Sequence, residues 1–309
     1  MINSLESTIQ LDQLNPIIPA RPESIRSTWA TSLACLTCIG IFIGINSVEN
    51  VSSWDTLSKF GHLPPNAIWS GHWWGLVTTA FVHMEIWHVA FNVYWVWALG
   101  SRLERSLGTA PYLAFFIASA FVGSVFQLAV SDTTGIGASG VVYAMFGFMW
   151  TTRGRYALFD EVLSNTTILL FIVWLFVCVA TTMAEILVVG NAAHFSGLLF
   201  GCCVGMTVAI RSYRNLAFVV SGMILLLSVA ILFWCPWSVT WSSIHAYDAQ
   251  IAGRYSEAID HYTRIISFDP KNSWAFQNRS SAYLALGENE KAQEDLAKAI
   301  EIASMITEE

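Results

Sequence analysis

Residues 131–153 read SDTTGIGASGVVYAMFGFMWTTR, and the length of this stretch decides the fold. From Ala138 to Trp150 it offers 13 residues before Thr151, Thr152 and Arg153. At about 1.5 Å per residue such a helix reaches only about 20 Å, against a bilayer hydrocarbon core of about 30 Å. With Arg153 at the cytoplasmic edge, the helix begins partway through the membrane, and residues 131–137 must dip in as non-helical chain. Backbone of that kind survives at depth only where it is buried in protein or lines a water-filled cavity. Ser139 is therefore expected at a helix start, inside the membrane, facing water.

The rest of the chain supports a membrane reading. It is 55% hydrophobic and 12% charged, where a soluble domain carries about 25% charged residues. Eleven of the 22 acids and six of the 15 basic residues lie after residue 238, so a charge-poor part precedes a short water-soluble tail. The six cysteines, at 35, 38, 178, 202, 203 and 235, all fall in apolar stretches and read as small buried hydrophobes. Net charge is −7, which points away from nucleic acid. The first 28 residues hold Pro16, Pro19 and Pro22. Glu6, Asp12 and Glu23 argue against a mitochondrial transit peptide, and no charged n-region precedes a short apolar stretch. This segment reads as a flexible cytoplasmic lead-in.

Apolar runs predict seven spans, near 29–46, 85–101, 110–130, 138–152, 166–189, 192–210 and 215–235. Arg21 and Arg26, Arg102 and Arg105, Arg153 and Arg155, and Arg211 and Arg214 flank one side, and the alternate loops carry only Lys59. This bias puts the N-terminus in the cytoplasm and the tail outside. Trp234, Trp237 and Trp241 sit where the last span exits, as an aromatic belt would. Loop 1, residues 47–84, is rich in tryptophan and suits the interface.

Strongly polar residues inside a membrane are functional candidates. Here they are His83, His88, Asn92, Ser139 and His194. A serine nucleophile needs a base, and histidine suits that role near neutral pH. Ser139 and His194 lie near the outer ends of parallel spans 4 and 6, hence at comparable depth. Gly197, Gly201 and Gly205 recur every four residues on span 6, and span 4 offers Gly140, Ala144 and Gly147. Small residues at this spacing let backbones meet, although they are common in helical membrane proteins. His88 and Asn92 share a helix face and can donate to an oxyanion. Asn92 reads equally well as a polar clasp between helices. No acid is available for a triad, and Val141 breaks the G-x-S-x-G pattern, so a Ser-His dyad is the reading left. Tyr143, one turn after Ser139, is the candidate to stack on His194; plain packing is its other reading.

These residues carry a resemblance to the rhomboid family of intramembrane serine proteases. It runs from about Trp73 to Gly205, through HWWGLVTTAFVHMEIWHVAFNVYWVWALGSRLE, GIGASGVVYAMFG and NAAHFSGLLFG. The family's G-x-S-G falls on Gly137, Ser139 and Gly140. Its A-H-x-x-G-x-x-x-G falls on Ala193, His194, Gly197 and Gly201, and its H-x-x-x-N on His88 and Asn92. His83 matches a family position linked to the site's water and hydrogen bonding. The resemblance implies cleavage of single-pass membrane proteins in or near their transmembrane segment, with no metal and no cofactor. It also implies a lateral gate at span 5, with Trp174 facing span 2. One departure is Trp74–Gly75, where the family has Trp-Arg, which bears on loop-1 rigidity.

Residues 242–305 show an internal repeat of 34: Gly253 pairs with Gly287, Ala258 with Ala292, Tyr262 with Leu296 and Ile265 with Ala299. With Asp269-Pro270 closing the first unit, this resembles two tetratricopeptide repeats. The tail reads as a peptide or protein partner site that recruits substrate, or as a passive cap. The expected fold is all-α: a polytopic helix bundle in the bilayer with a six-span rhomboid core (29–210), a seventh span and interface (211–241) and a repeat tail (242–309). The expected location is a bacterial cytoplasmic membrane, with the tail periplasmic. Two other readings compete. One is a catalytically silent adaptor binding membrane clients through spans and tail, which has no need of the full polar set. The other is a metal site on His83, His88 and His194, disfavoured because histidines five apart diverge on a helix and no H-E-x-x-H is present.

Overall fold

The computed structural model describes residues 27–307. Most of the expected lead-in, with Arg21 and Arg26, lies outside the described residues. Among these residues the chain is helical without β-strands. Helix α1 (Trp29–Asn46) is followed by the short loop-1 helices α2 (Trp54–Lys59), α3 (Pro65–Trp69) and α4 (Gly75–Thr78). Then come α5 (Ile86–Trp95), a π-helical turn (Val96–Gly100) and α6 (Ser101–Leu107), in one continuous run. Next are α7 (Thr109–Ser131), α8 (Ser139–Thr151), α9 (Ala157–Asp160), α10 (Asn165–Met183), α11 (Asn191–Ala209) and α12 (Arg214–Phe233). The tail contains α13 (Val239–Ile251), α14 (Tyr255–Phe268), α15 (Ser273–Ala285) and α16 (Asn289–Thr307).

Five helices are long and apolar enough to cross a membrane, at 29–46, 109–131, 165–183, 191–209 and 211–233. The other two expected spans are the α5–α6 run and the 13-residue α8. The chain is an integral membrane helix bundle with a helical tail. Span 5 is shorter than its apolar run: α10 stops at Met183, and Glu185 takes a φ of +57° that no helix continues.

Two compact units form. The first holds the chain up to Leu63, Trp74–Leu128 and Thr134–Ala230. Its centre is α8, buried at every residue from Gly140 to Met149. Helix α11 lies against it at backbone distance. A Cβ on Gly197 would overlap the Gly140 carbonyl, and one on Gly201 the Ala144 carbonyl. From the other side, a Cβ on Gly140 would stand 3.2 Å from the Ala193 carbonyl oxygen. The expected small-residue faces therefore meet. A buried acid outside the expected polar set ties α1 to α6 and α7. Glu104 is fully buried and accepts from the backbone N–H of Ala30 (3.2 Å) and Thr31 (2.9 Å), the Thr31 hydroxyl (2.7 Å) and the Thr109 hydroxyl (2.9 Å). A carboxylate there satisfies first-turn donors of α1 that no helical carbonyl reaches.

The second unit holds Pro64–Trp73, Ala129–Thr133 and everything from Ile231 onward. Ala246, Ala249, Ala258, Tyr262, Ile265 and Ala275 form the core of α13–α15. The repeat is visible in the backbone: Gly253 and Gly287, 34 apart, both take positive φ (+73° and +80°) where α13 and α15 end. Ala258 and Ala292 are both buried. Tyr262 is fully buried whereas its counterpart Leu296 is 44% exposed, because no helix follows α16 among the described residues to cover it. Arg279 clamps Asp295 through two bonds of 2.7 and 2.8 Å, joining α15 to α16. Helix α3, from loop 1, packs on α13.

Candidate functional site

The segment before α8 is shaped by Gly137, whose φ of +96° suits glycine. A Cβ there would stand 2.8 Å from His88 Nε2 and 3.1 Å from His83 Nε2, so both rings flank this residue. Ser139 follows as the first residue of α8. Its N–H has no acceptor within the helix by position. His194 sits in the first turn of α11 and is buried. Its Nε2 lies 2.7 Å from Ser139 Oγ. Parallel helices locked by glycine bring the two side chains together across 55 residues of sequence.

Tyr143 packs its ring 4.6 Å from the His194 ring, the planes 35° apart. Its hydroxyl donates to the Phe171 carbonyl of α10 at 3.1 Å, which fixes the ring. The Nδ1 atom of His194 makes no hydrogen bond among the described residues. The Tyr143 ring is the group that packs against the imidazole.

His88 and Asn92 lie on α5, one turn apart, and Asn92 is buried. The Asn92 amide donates to the His88 carbonyl at 2.9 Å, so one of its two N–H groups is turned back on its own helix. His83 precedes α5, in the non-helical turn after Val82. The helical-wheel argument that separated His83 from His88 therefore does not apply. Their ring centroids are 4.9 Å apart. His83 Nδ1 contacts the Phe81 carbonyl at 3.2 Å and Nε2 accepts from the Ala138 N–H at 3.4 Å. Trp174 on α10 packs 5.9 Å from Phe91 on α5.

Other groups at the site carried no motif. Thr79 donates its hydroxyl to the Gly135 carbonyl (2.6 Å), and its own carbonyl accepts from Gly137 N–H (3.1 Å). Buried His62 contacts the same hydroxyl through Nδ1 at 2.8 Å and stacks on Trp54. Gln127 Oε1 accepts from the Ala193 N–H at 3.1 Å, next to His194. A cavity of about 20 Å³ beside Ser139 is lined by Ser119, Ser124, Gly137, Gly190 and Ala193. That volume suffices for one water. None of these residues belongs to a motif, and only its neighbours in space distinguish it.

Comparison with known proteins finds two family models that match this chain. A rhomboid domain model matches residues 70–211 and a tetratricopeptide repeat model matches 261–294. The rhomboid protease GlpG of Yersinia pseudotuberculosis serotype I (strain IP32953) is 34% identical over 144 residues, 47% of this chain and 50% of that one. GlpG of Yersinia pestis (strain Pestoides F) gives the same figures. GlpG of Yersinia enterocolitica serotype O:8 / biotype 1B (strain NCTC 13174 / 8081) is 33% identical over the same length. The chain spans about half the length of the curated relatives it matches. Residues 70–211 of this chain are thus similar to a rhomboid domain and to the rhomboid protease GlpG, and a tetratricopeptide-type repeat follows in the tail.

Proposed function

We propose that this protein is an intramembrane serine endopeptidase that cleaves single-pass membrane proteins within or near their transmembrane segment, with Ser139 as nucleophile and His194 as general base. The observation that carries the reading is the 2.7 Å contact between His194 Nε2 and Ser139 Oγ at the start of a buried helix. His194 Nε2 takes the hydroxyl proton as Oγ attacks the scissile carbonyl. The Ser139 N–H, with the His88 and Asn92 side chains, receives the developing oxyanion. His194 then protonates the leaving amine, and a water beside Ser139 hydrolyses the acyl-enzyme with the same histidine as base. Tyr143 holds the imidazole in place of a triad acid. Gly140, Gly197 and Gly201 keep the two helices at working distance, and Trp174 belongs to the side through which a substrate helix enters.

We assign residues 29–210 to the catalytic core, 211–241 to the seventh span and its interface, and 242–309 to a repeat tail that binds a peptide or protein partner. The arginine bias supports a cytoplasmic N-terminus and an outer, periplasmic tail in a bacterial inner membrane. Ser139→Ala and His194→Ala are each expected to abolish cleavage of a transmembrane reporter, and Ser139→Ala to abolish fluorophosphonate labelling. Continued cleavage by both variants, in cells lacking other rhomboid proteins, would overturn the proposal.

A further inference from the structure

Asp132 stands seven residues before Ser139, between the end of α7 and the segment that leads into α8. Its φ is +55°, a left-handed conformation that a non-glycine residue keeps where its surroundings enforce it. The carboxylate of this residue is held on both oxygens. Oδ1 accepts from the Ser238 hydroxyl at 2.5 Å, and Oδ2 accepts from the Thr240 N–H at 2.8 Å and the Thr240 hydroxyl at 2.9 Å. Ser238 is also the N-cap of α13, accepting from the Trp241 N–H at 2.9 Å. Beside it, the Trp237 indole donates to the Ala129 carbonyl, in the last turn of α7, at 2.8 Å. All these residues fold within the second compact unit. Trp237, Ser238 and Thr240 lie outside the stretch that matches the rhomboid domain.

Beyond Asp132 the chain has six residues before Ser139. Their later part is held by Thr79 and His83, which bond Gly135, Gly137 and Ala138. Fixing Asp132 anchors the start of the same segment. A short segment tied at both ends keeps few conformations, and its amides stay aimed at one point.

We propose that Asp132, held by Ser238 and Thr240, is a positioning residue for the Ser139 site, so that side chains beyond the rhomboid domain set the turnover. The proposal rests on the protease reading above. The test uses the full chain in proteoliposomes, with a transmembrane reporter, a fluorophosphonate probe and hydrogen exchange of residues 133–138. Asp132→Ala is expected to lower kcat and probe labelling about tenfold while KM stays within about twofold, with faster exchange in 133–138. Asp132→Asn, which keeps an acceptor for Thr240, is expected to fall between. Arg279→Gln, which weakens the tail without touching Asp132, is expected to leave all readouts at the wild-type level. Wild-type kcat and labelling in Asp132→Ala, or an equal loss in Arg279→Gln, would overturn the proposal. A wild-type protein that neither cleaves nor labels would sink the protease reading instead. Exchange still decides the clamp in that case: faster exchange in Asp132→Ala upholds it, and unchanged exchange defeats it.

Discussion

Two helix seams in the first unit are built from opposite materials. Between α8 and α11 the backbones themselves touch, with Gly140, Gly197 and Gly201 facing carbonyls. Between α5 and α10 the contact is aromatic: Phe91 with Trp174 at 5.9 Å, and Trp95 with Phe171 at 4.6 Å. Helix α10 buries only Phe171, Leu175 and Cys178, so most of its surface faces outward. A glycine seam has no side chain to rearrange and cannot slip without opening a void or a clash. An aromatic seam can yield by rotation of a few rings. The serine and histidine sit on the seam that cannot move, and the candidate gate lies on the one that can.

The largest expected effect tests the first seam. Gly197→Val should cost upward of about 3 kcal/mol or prevent folding, because its side chain must enter the Gly140 carbonyl. Thermal unfolding in detergent measures this, and a stable, active variant would break the comparison. Next, Tyr143→Ala should lower kcat about tenfold by freeing the His194 ring. Tyr143→Phe keeps the ring and loses only the bond to Phe171, so it should cost about 1 kcal/mol and leave turnover near wild type. The second seam predicts a smaller and different response. Trp174→Ala should remove about 1 kcal/mol of stability yet leave turnover equal or higher. Parallel loss of turnover and stability would mean that both seams are rigid.

The smallest effect concerns loop 1, away from both seams. Burial pushes His62, in loop 1, from 6.5 down to about 4. Between those values the unfolded chain binds more protons than the folded one, so stability is complete above about pH 6.5 and falls as pH drops toward 4. Melting temperature against pH should show this slope, and His62→Gln should flatten it.

Much of the site was legible because its residues break an apolar pattern. Ser139, His194, His88 and Asn92 are polar where the membrane tolerates little polarity, and the shortness of α8 placed Ser139 at a helix start. Glu104, Thr79, His62, Gln127 and Asp132 were not legible. None of them stands in a motif, and each acts through a partner 17 to 108 positions away. The tail divides in the same way. Its 34-residue period was written in Gly253 and Gly287, but its folding with Pro64–Trp73 and Ala129–Thr133 was not.

By itself the sequence determined what local chemistry compels: the five long apolar helices, from apolar length; the helix start at Ser139, from a run too short to cross; and the glycine face of α11, from a period of four. Tertiary structure alone decided the 2.7 Å meeting of Ser139 with His194, the facing of His83 and His88, and the tie between Asp132 and Thr240. Apolar length and period act over a few residues and leave a mark in every window. A hydrogen bond between distant residues leaves none until packing brings its two ends within reach.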